Sequence, residues 1–556
     1  MAERFGKGTV DRVGGIWVLH LAGTSFERGL QHGTLMRYRV RDTIDFYRSL
    51  PDSFLSRVSP KNTGSLKTLN RLKRAMVRQF AGSGDSDAVD ELRGLAVGLG
   101  LQVEDLAEVL LLPDVLGCAG SLSRKRRRFS LPVLSGMGGT SAIGETSNGE
   151  LVFGRNLNFW GAGYWDLNPS VIFHHPDHGK AFCSVTTAGL PTGGITSINE
   201  DGLALAVHQC GSLDADPRGT PLIDIAHTIA RAAATVEEAI GIASQFKATG
   251  GCCVVLAGGS PSKAAVLEMS AARQVTRWLA DKTLVATNSF LDGELSSRGL
   301  HPNCSSVIAD KAITQRAAVL ASTGRVTPSR MAGIVGDHYD ALAGRDRSSG
   351  FSISSIMNLS SAVFSLPQKR FWVSESPAPA SRGGFVGFDL DSELGRGRSN
   401  VGRLEGGRPP RINITRAQER YLDAYKRYID TGDLNLVLNM LGECSSLDPQ
   451  EPTFPLMEGV VRCMLGNLRG ALSATDRALE LEQVESKKAV TLTWKARILD
   501  LMDHREQSSK IYSELAENDA IPPAMIEASR RCLRKPFTEK RLEDVVIDFA
   551  NGDTLE

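Results

Sequence analysis

A strand–turn–strand pattern carries the residues in this chain whose types and spacing could do chemistry. Its first strand opens with Gly138-Gly139-Thr140, and a turn at Thr146-Ser147-Asn148-Gly149 follows. The second strand contains Arg155 and Asn158. A nucleophile at the start of the first strand, facing a strand that supplies charge and hydrogen-bond donors, could attack an amide bond. Taken alone, however, Arg155 is more typical of a structural ion pair.

The sequence around this pattern resembles the linear amide C–N hydrolases of the N-terminal-nucleophile (Ntn) superfamily: choloylglycine hydrolases, penicillin V acylases and isopenicillin N acyltransferase-like proteins. Those proteins open the mature chain with Cys-Thr or Cys-Ser, then have a Thr-x-Asp/Asn-Gly turn and Gly-Arg-Asn-x-Asp. Their arginine lies sixteen residues beyond the cysteine, and sixteen residues before Arg155 is Gly139. Further blocks follow in the family's order, so that the resemblance covers roughly residues 10–390: Tyr164-Trp165-Asp166, Thr187-Ala188-Gly189-Leu190, Ile198-Asn199-Glu200-Asp201-Gly202, Ala286-Thr287-Asn288-Ser289 and Arg382-Gly383-Gly384-Phe385.

The resemblance implies an autoprocessed enzyme. In Ntn hydrolases the side chain of the first mature residue attacks the amide and its own α-amine is the general base, so the precursor must cut itself first. Here the cut would fall between Gly138 and Gly139, with position 139 as the nucleophile, where cysteine is expected. Arg155 would steady that nucleophile and its developing charge.

The resemblance also implies three amide side chains in the site. Asn158 takes the place of an aspartate that orients the nucleophile's amine. Asn288 matches an asparagine that orients the amine or donates to the oxyanion. Gln209, next to His208, matches a second oxyanion donor, and one such donor lowers the barrier by about 3 kcal/mol. Without the resemblance, Asn288 and Gln209 would more often cap turns.

Three departures from the family pattern put catalysis in doubt. Gly139 has no side chain with which to attack, Asn158 carries no charge, and the family's later arginine has only Arg298 and Arg316 as candidates. Three explanations stay open: a cysteine was replaced, catalysis was lost naturally, or the cut falls one residue later and frees Thr140. A one-residue slip along a strand turns the side chain to the opposite face unless a bulge absorbs it, which weighs against Thr140.

Other reactive residues have simpler interpretations. His174-His175-x-x-His178 is expected in a solvated hairpin turn rather than a metal site, and no other metal-ligand spacing occurs. Cys118 follows a helical pattern and is expected to be a buried thiol, as are Cys252-Cys253 in an apolar strand. Gly258-Gly259-Ser260 lacks the lysine spacing of a phosphate loop and predicts a turn. No metal or organic cofactor is expected.

Length and composition indicate a globular protein of two or three domains. The chain has 556 residues, 42% hydrophobic and 23% charged. Its 64 basic and 63 acidic residues nearly cancel, so nucleic-acid and membrane partners are not expected. The start lacks a signal-peptide core, and no stretch reaches the roughly 18 apolar residues of a membrane span. Nine cysteines without CxxC spacing predict free thiols in a reducing compartment, hence a cytoplasmic protein.

Two linkers and a helical repeat divide the chain. The basic run 124–128 predicts an exposed linker rather than a nucleic-acid patch, because only Phe129 adds an aromatic residue. Residues 393–411, rich in Gly, Arg and Pro, predict a second linker. Beyond it, Gly432-Asp433-Leu434 recurs as Gly466-Asn467-Leu468 with the 34-residue period of tetratricopeptide (TPR) repeats. A plain helical bundle is the alternative.

The sequence therefore predicts an α+β protein: an αββα Ntn-hydrolase sandwich followed by an all-α TPR-like domain. The expected boundaries are 1–138 for a prosegment that is also the N-terminal part of the sandwich, 139–392 for its core, 393–412 for a linker and 413–540 for the helical domain. The expected function is cleavage of a linear amide, or transfer of its acyl group, on a small-molecule substrate. The alternative is an inactive Ntn-fold scaffold that binds a protein or peptide through the TPR-like helices. The acyl group and the choice between hydrolysis and transfer are not readable from the sequence.

Overall fold

The computed structural model describes residues 3–58, 63–82, 86–125, 133, 136–190, 193–375, 377–397 and 399–555. The predicted basic linker lies outside the described residues from residue 126 onward. Before it, the chain forms three strands and six helices: β1 (Glu3–Phe5), β2 (Gly8–Val13), β3 (Ile16–Gly23), α1 (Ser25–Met36), α2 (Arg41–Val58), α3 (Thr63–Ala81), α4 (Asp87–Leu99), α5 (Val103–Leu110) and α6 (Leu112–Lys125).

The central part of the chain supplies most of the strands. Its elements are β4 (Gly138–Glu145), β5 (Leu151–Asn158), β6 (Pro169–Pro176), β7 (Phe182–Thr187), β8 (Thr196–Asn199), β9 (Ala204–Ser212), α7 (Leu222–Ala232), α8 (Val236–Ala243), β10 (Gly251–Gly259), β11 (Ser262–Met269), β12 (Gln274–Trp278), β13 (Thr283–Ala286), α9 (Gly293–Ser297), β14 (Gly299–Leu300), α10 (Cys304–Ser322), α11 (Pro328–Val335), β15 (Tyr339–Asp340), β16 (Arg345–Asp346), β17 (Asn358–Ser365), β18 (Arg370–Ser374), β19 (Phe385–Asp389) and α12 (Leu390–Leu394).

The C-terminal part is helical and ends in a β-hairpin. Its elements are α13 (Ile412–Thr431), α14 (Leu434–Leu447), α15 (Thr453–Met464), α16 (Leu468–Leu481), α17 (Glu485–Leu501), α18 (Arg505–Ala516), α19 (Pro523–Arg534), α20 (Glu539–Leu542), β20 (Val546–Asp548) and β21 (Asp553–Leu555).

Two sheets pack face to face and form the centre of the molecule. The larger sheet has the strand order β1-β2-β3-β6-β7-β8-β9-β10-β11-β12, with β14 also paired to β9. The smaller sheet has the order β13-β4-β5-β17-β18-β19. Buried aromatic side chains from both sheets fill the space between them: Phe153, Phe173, Phe364, Phe371 and Phe388. Such a shared interior fixes the register of each strand, because a one-residue slip would turn these rings outward.

Helices cover the outer face of each sheet. α10 and α11 pack on the smaller sheet, against β4, β5 and β17, while α1, α6, α7 and α8 pack on the larger sheet. The layers therefore follow the order helix, sheet, sheet, helix, and the mixed α+β prediction is confirmed. Within the N-terminal region, β1–β3 extend the larger sheet through a parallel pair between β3 and β6. The strands β1–β3 are thus part of the sandwich.

The predicted linker after residue 392 is packed rather than loose. Leu404 forms a bridge with Phe385 at the edge of the smaller sheet. The indole Nε1 of Trp372 donates to the carbonyl of Gly402 at 2.7 Å. Buried backbone needs such partners, and these tie the connection to the sandwich.

The C-terminal helices pack as antiparallel neighbours, α13 with α14, α15 with α16 and α17 with α18. Gly432 and Gly466, the repeated glycines, both have positive φ and end the first helix of a pair. A Cβ on Gly459 would press on Thr475 of α16, so this glycine permits the close approach expected from the repeat. The assignment to TPR repeats stays a prediction.

The helical domain is joined to the sandwich by buried charges. Arg347 is 2% exposed, and its guanidinium donates to Glu451 at 2.6 Å and to Glu482 at 3.3 Å, both in the helical domain. Burial alone would lower the pKa of Arg347, but the carboxylates of Glu451, Glu482 and Asp340 raise it. The two parts of the chain therefore share a desolvated ion cluster.

Among the described residues, no single helix has both the length and the apolar character of a membrane span, although α5 and α6 pass that test together as a pair bent by 59°. All nine cysteines are free thiols, and all but Cys304 are buried.

Candidate active site

Two amide side chains hold the chain where β4 begins. The Gly139 amide donates to Asn288 Oδ1 at 2.7 Å, and Asn288 Nδ2 donates to the Gln209 carbonyl at 2.9 Å. The backbone N–H of Met137 donates to Gln209 Oε1 at 3.1 Å, and the backbone N–H of Gln209 donates to the Met137 carbonyl at 2.7 Å. Residue 139, Asn288 and Gln209 therefore lie together where β4 begins.

Gly139 adopts a conformation that other residues avoid. Its φ is +119°, and a Cβ built on it would overlap the carbonyl oxygen of Asn156 on the neighbouring strand. The obstacle is backbone, which cannot rotate away as a flexible side chain can. At Gly138 the obstacle is a side chain, since a Cβ there would overlap the amide group of Asn288. Both glycines are buried.

Thr140 and Ser141 point to opposite faces of β4, since side chains alternate along a strand. Ser141 Oγ lies 2.8 Å from His208 Nε2 of the larger sheet, so Ser141 faces the space between the sheets. Thr140 therefore faces the helical layer, and it lines the cavity described below. β4 and β5 pair without a bulge, with Ser141 opposite Arg155. The geometric objection to a shifted nucleophile at Thr140 thus holds in this strand.

Arg155 lies between the sheets and is 1% exposed. Its guanidinium donates to the Val207 carbonyl at 2.7 Å and lies 2.8 Å from His208 Nε2, while its Nε has no partner. Burial lowers the pKa of Arg155 to about 9, and burial and Arg155 together lower the pKa of His208. Among the described residues no carboxylate pairs with this cation. His208 lies between Arg155 and the backbone of Gly139, and Arg155 does not line the cavity.

Asn158, opposite Gly138 on β5, lines the cavity together with Gly139. Its Oδ1 accepts a hydrogen bond from Asn358 Nδ2 at 3.3 Å. Asn358 is buried and also donates to the Ser360 carbonyl. The neighbouring amide of Asn358 therefore fixes the orientation of the Asn158 side chain.

A cavity of about 130 Å³ opens beside these residues. Thr140, Asn158, Gln209 and Asn288 supply polar groups to its lining, and aromatic residues form much of the remaining wall: Phe159, Trp160, Phe351, Tyr425 and Phe549. A largely apolar cavity with a few polar groups is typical of a small-molecule site. No cysteine lines the cavity among the residues that the structure describes.

The C-terminal hairpin closes one side of this cavity. Asp548, Phe549, Ala550 and Asn551 line it, and Phe549 packs against three tyrosines of α13: Tyr421, Tyr425 and Tyr428. Asn303 Nδ2, at the start of α10, donates to Asp548 Oδ2 at 2.9 Å. The helical domain thus contributes directly to the cavity wall, although the predicted domain boundary at 540 left these residues out.

The candidates for the second arginine do not reach the site. Arg298 pairs with Asp214, and Arg316 pairs with Asp337 at 2.7 Å. Neither lines the cavity.

The expectation that His174 lies in a solvated turn is wrong. His174 and His175 belong to β6, and His174 is buried, stacked on Phe182 and 3.0 Å from Ser184 Oγ. Burial lowers the pKa of His174 well below its ordinary value. Cys118 is buried as expected, within α6. The described residues contain no cluster of metal-ligating side chains.

Two parts of the cavity have no counterpart in the sequence prediction. Asp310 of α10 lines it, and no motif marks that residue. The hairpin did carry a signal, since Asn551-Gly552 between short apolar runs is typical of a tight hairpin turn, and Gly552 has a φ of +56°.

Comparison with known proteins supports the resemblance over part of the chain. The family model described as "Acyl-coenzyme A:6-aminopenicillanic acid acyl-transferase" matches residues 145–323, about a third of the chain. The matched range includes Arg155, Asn158, Gln209 and Asn288 and begins after position 139. No curated protein matches the chain.

Three solved structures are among those similar to this chain, all with low TM-scores. Penicillin V acylase from Agrobacterium tumefaciens has 14% identity and a TM-score of 0.30, covering 48% of this chain and 91% of its own. A single-residue variant of conjugated bile acid hydrolase from Clostridium perfringens has 12% identity and a TM-score of 0.31, covering 49% and 99%. The Caenorhabditis elegans orthologue of N-acylethanolamine-hydrolyzing acid amidase has 15% identity and a TM-score of 0.28, covering 42% and 99%.

Residues 145–323 therefore resemble the acyl-coenzyme A:6-aminopenicillanic acid acyl-transferase family, and this range holds four of the five predicted site positions.

Proposed function

We propose that this protein binds an acyl amide in an Ntn-type site and does not cleave it through residue 139. The observation that carries the proposal is the backbone of Gly139, which excludes the side chain that the reaction needs.

The proposal specifies which steps are missing. In the family's reaction a thiolate at 139 attacks the amide carbonyl, the amine leaves with a proton, and water or another acceptor takes the acyl group. Glycine supplies neither the electron pair nor, in an uncut chain, the free α-amine that would remove the thiol proton. Asn288 and Gln209 are satisfied by the chain itself: Asn288 Oδ1 accepts from Gly139, and Gln209 Nε2 donates to the Pro113 carbonyl.

Recognition of an amide therefore falls to the groups that face the cavity. Thr140 and Asn158 supply hydrogen-bonding groups, and the aromatic wall offers apolar surface to an acyl group. Buried polar groups of a ligand need such partners, because an unpaired one costs about 1–3 kcal/mol.

We expect saturable binding of a neutral acyl amide without turnover. Purified protein would be titrated with N-(2-hydroxyethyl)benzamide by calorimetry, and the mixture would be assayed for benzoic acid and for a benzoyl adduct on the protein. Gly139 cannot form that adduct, so we expect binding with no acid and no mass increase. Release of benzoic acid, or an adduct at any residue, would contradict the proposal.

Two alternatives make different predictions. A cut before Thr140 would free its hydroxyl and α-amine as a nucleophile, which is favoured by its place in the cavity lining, and predicts an adduct at Thr140. A scaffold that binds a protein through the helical domain is favoured by a second cleft of about 570 Å³ beside the Gly432 and Gly466 turns. It predicts that no acyl amide binds in the first cavity.

A further inference from the structure

The charges around the cavity restrict which amide it accepts. Among the described residues that line it, none is Lys or Arg, while two are aspartates, Asp310 and Asp548. His301 also lines it, and burial lowers the pKa of this histidine, so it adds no cation at neutral pH. Tyr425, the remaining titratable group, has a pKa raised by burial. A ligand with a carboxylate or phosphate would find no countercharge here.

The two aspartates differ in how their oxygens are used. Asp548 is 1% exposed, and its Oδ2 accepts from Asn303 at 2.9 Å and from Asn551 at 2.8 Å. Its Oδ1 accepts from the Ala550 amide at 3.1 Å. Asp548 is therefore satisfied by the hairpin and by α10, and its role is to hold the cavity wall in place.

Asp310 is the carboxylate with bonding capacity left. Its Oδ2 accepts from Ser289 Oγ at 2.5 Å, which places the carboxyl one residue from Asn288. No described cation lies within salt-bridge distance of it, and burial raises its pKa to about 6. A carboxylate kept in an apolar cavity without a countercharge is costly unless a ligand supplies one.

The volume of the cavity limits the size of the ligand's apolar group. A cavity of about 130 Å³ is of the class that admits one aromatic ring, since an engineered apolar cavity of roughly 150 Å³ holds benzene. Phe159, Trp160, Phe351 and Phe549 supply ring surfaces for such a group, and offset or edge-to-face contacts between rings add to its burial.

From this arrangement we infer that the ligand is an amide with one ring-sized apolar group and a protonated amine, and that the amine pairs with Asp310. The inference rests on the proposed function and adds the class of ligand to it. Asp310 acts here in recognition; the bond between its Oδ2 and Ser289 also steadies the turn that carries Asn288.

Three compounds that share a benzoyl amide and differ in the charge of a short polar end group test this inference on the full chain. Calorimetry at pH 7.5 would compare N-(2-aminoethyl)benzamide, N-(2-hydroxyethyl)benzamide and N-benzoylglycine, which are cationic, neutral and anionic. We expect the cation to bind at least tenfold more tightly than the neutral amide, and the anion to bind at least tenfold more weakly. Added salt should reduce the cation's advantage, because screening weakens the pair.

Asp310→Asn keeps the shape of the side chain and removes its charge. We expect this variant to lose the tenfold preference for the cation over the neutral amide. Circular dichroism would show that the variant is folded. Asp553→Asn is the matched control: Asp553 is a buried aspartate bonded to Ser305 at 2.6 Å, with a pKa likewise raised to about 6, but outside the cavity lining. It should keep the preference.

The outcomes separate the two proposals. Equal binding of the three amides would overturn the inference and leave the proposed function standing. A cation preference that survives in Asp310→Asn would overturn the assignment to Asp310. No binding of any benzamide would overturn both. The native chain's preference and its salt dependence decide the matter even if no variant folds.

Discussion

Replacing Gly139 with alanine is expected to lower the free energy of unfolding by about 2–5 kcal/mol. A left-handed φ costs a residue with a Cβ about 1–2 kcal/mol, and forcing an atom against buried backbone costs a further 1–3 kcal/mol. Here φ is +119° and the obstructing atom is the Asn156 carbonyl oxygen. Urea unfolding of the native and variant chains would measure the difference.

Gly333→Ala is the control for this prediction. Gly333 lies inside α11, the helix that packs on the smaller sheet, to which residue 139 also belongs. A Cβ on Gly333 would meet nothing within 4 Å. Alanine in an open helix position is expected to stabilise by up to about 1 kcal/mol. If Gly139→Ala is as mild as Gly333→Ala, position 139 tolerates a side chain, and the argument that the nucleophile is excluded fails.

Replacing Arg347 with methionine is expected to cost about 3–5 kcal/mol, because it leaves buried carboxylates without their cation. Glu451 and Glu482 lie 2.6 and 3.3 Å from the guanidinium, and Asp340 lies 3.7 Å away. The ion cluster joins the helical domain to the sandwich, so the variant should also expose the cavity wall to proteolysis. Chemical unfolding and limited digestion would measure the two effects.

The pH dependence of this variant has a definite sign. Burial alone would raise the pKa of Glu451, but Arg347 holds it below its ordinary value. The native pair therefore stabilises at neutral pH, and that contribution is lost as the pH falls through the lowered pKa. Without Arg347 the buried carboxylates become protonated more readily as the pH falls. The difference in the free energy of unfolding between the native chain and the variant should therefore be smaller at pH 5 than at pH 7.5.

Arg298→Met is the matched control for Arg347. Arg298 is half-exposed and pairs with Asp214 at the surface, where a pair contributes less than about 1 kcal/mol. A similar loss of unfolding free energy in both variants would contradict the buried-pair account. So would a loss in the Arg347 variant that does not change with pH.

The local parts of the fold were predictable from the sequence. The Thr24–Glu27 capping box and the apolar spacing after it mark α1, and the Asn148-Gly149 turn marks the β4–β5 hairpin. Asn551-Gly552 is a signal of the same kind and marks the C-terminal hairpin, which the predicted boundary at 540 leaves out. Pro176-Asp177-His178-Gly179 favours a turn that includes His174, but the strand runs to Pro176.

The long-range parts of the site were not predictable from spacing. The position of Gly139 beside Asn288 and Gln209 came from the family resemblance, because no periodicity relates residues so far apart in the chain. Asp310 and Asp548 reach the same cavity from α10 and from the C-terminal hairpin, and their meeting depends on how the helical domain docks through Arg347. The conformation of Gly139 depends on the Asn156 carbonyl across the strand, which only the packed sheet reveals.

The most direct test of the central claim is the intact mass of the purified chain. An uncut protein gives one species at 59.9 kDa, which is the expected result because residue 139 has no nucleophile. Two fragments, with residue 139 or residue 140 as a new N-terminus, would contradict the account, because the chain would then cut itself without a side chain at residue 139. A new N-terminus at Thr140 would, in addition, identify that residue as the one freed.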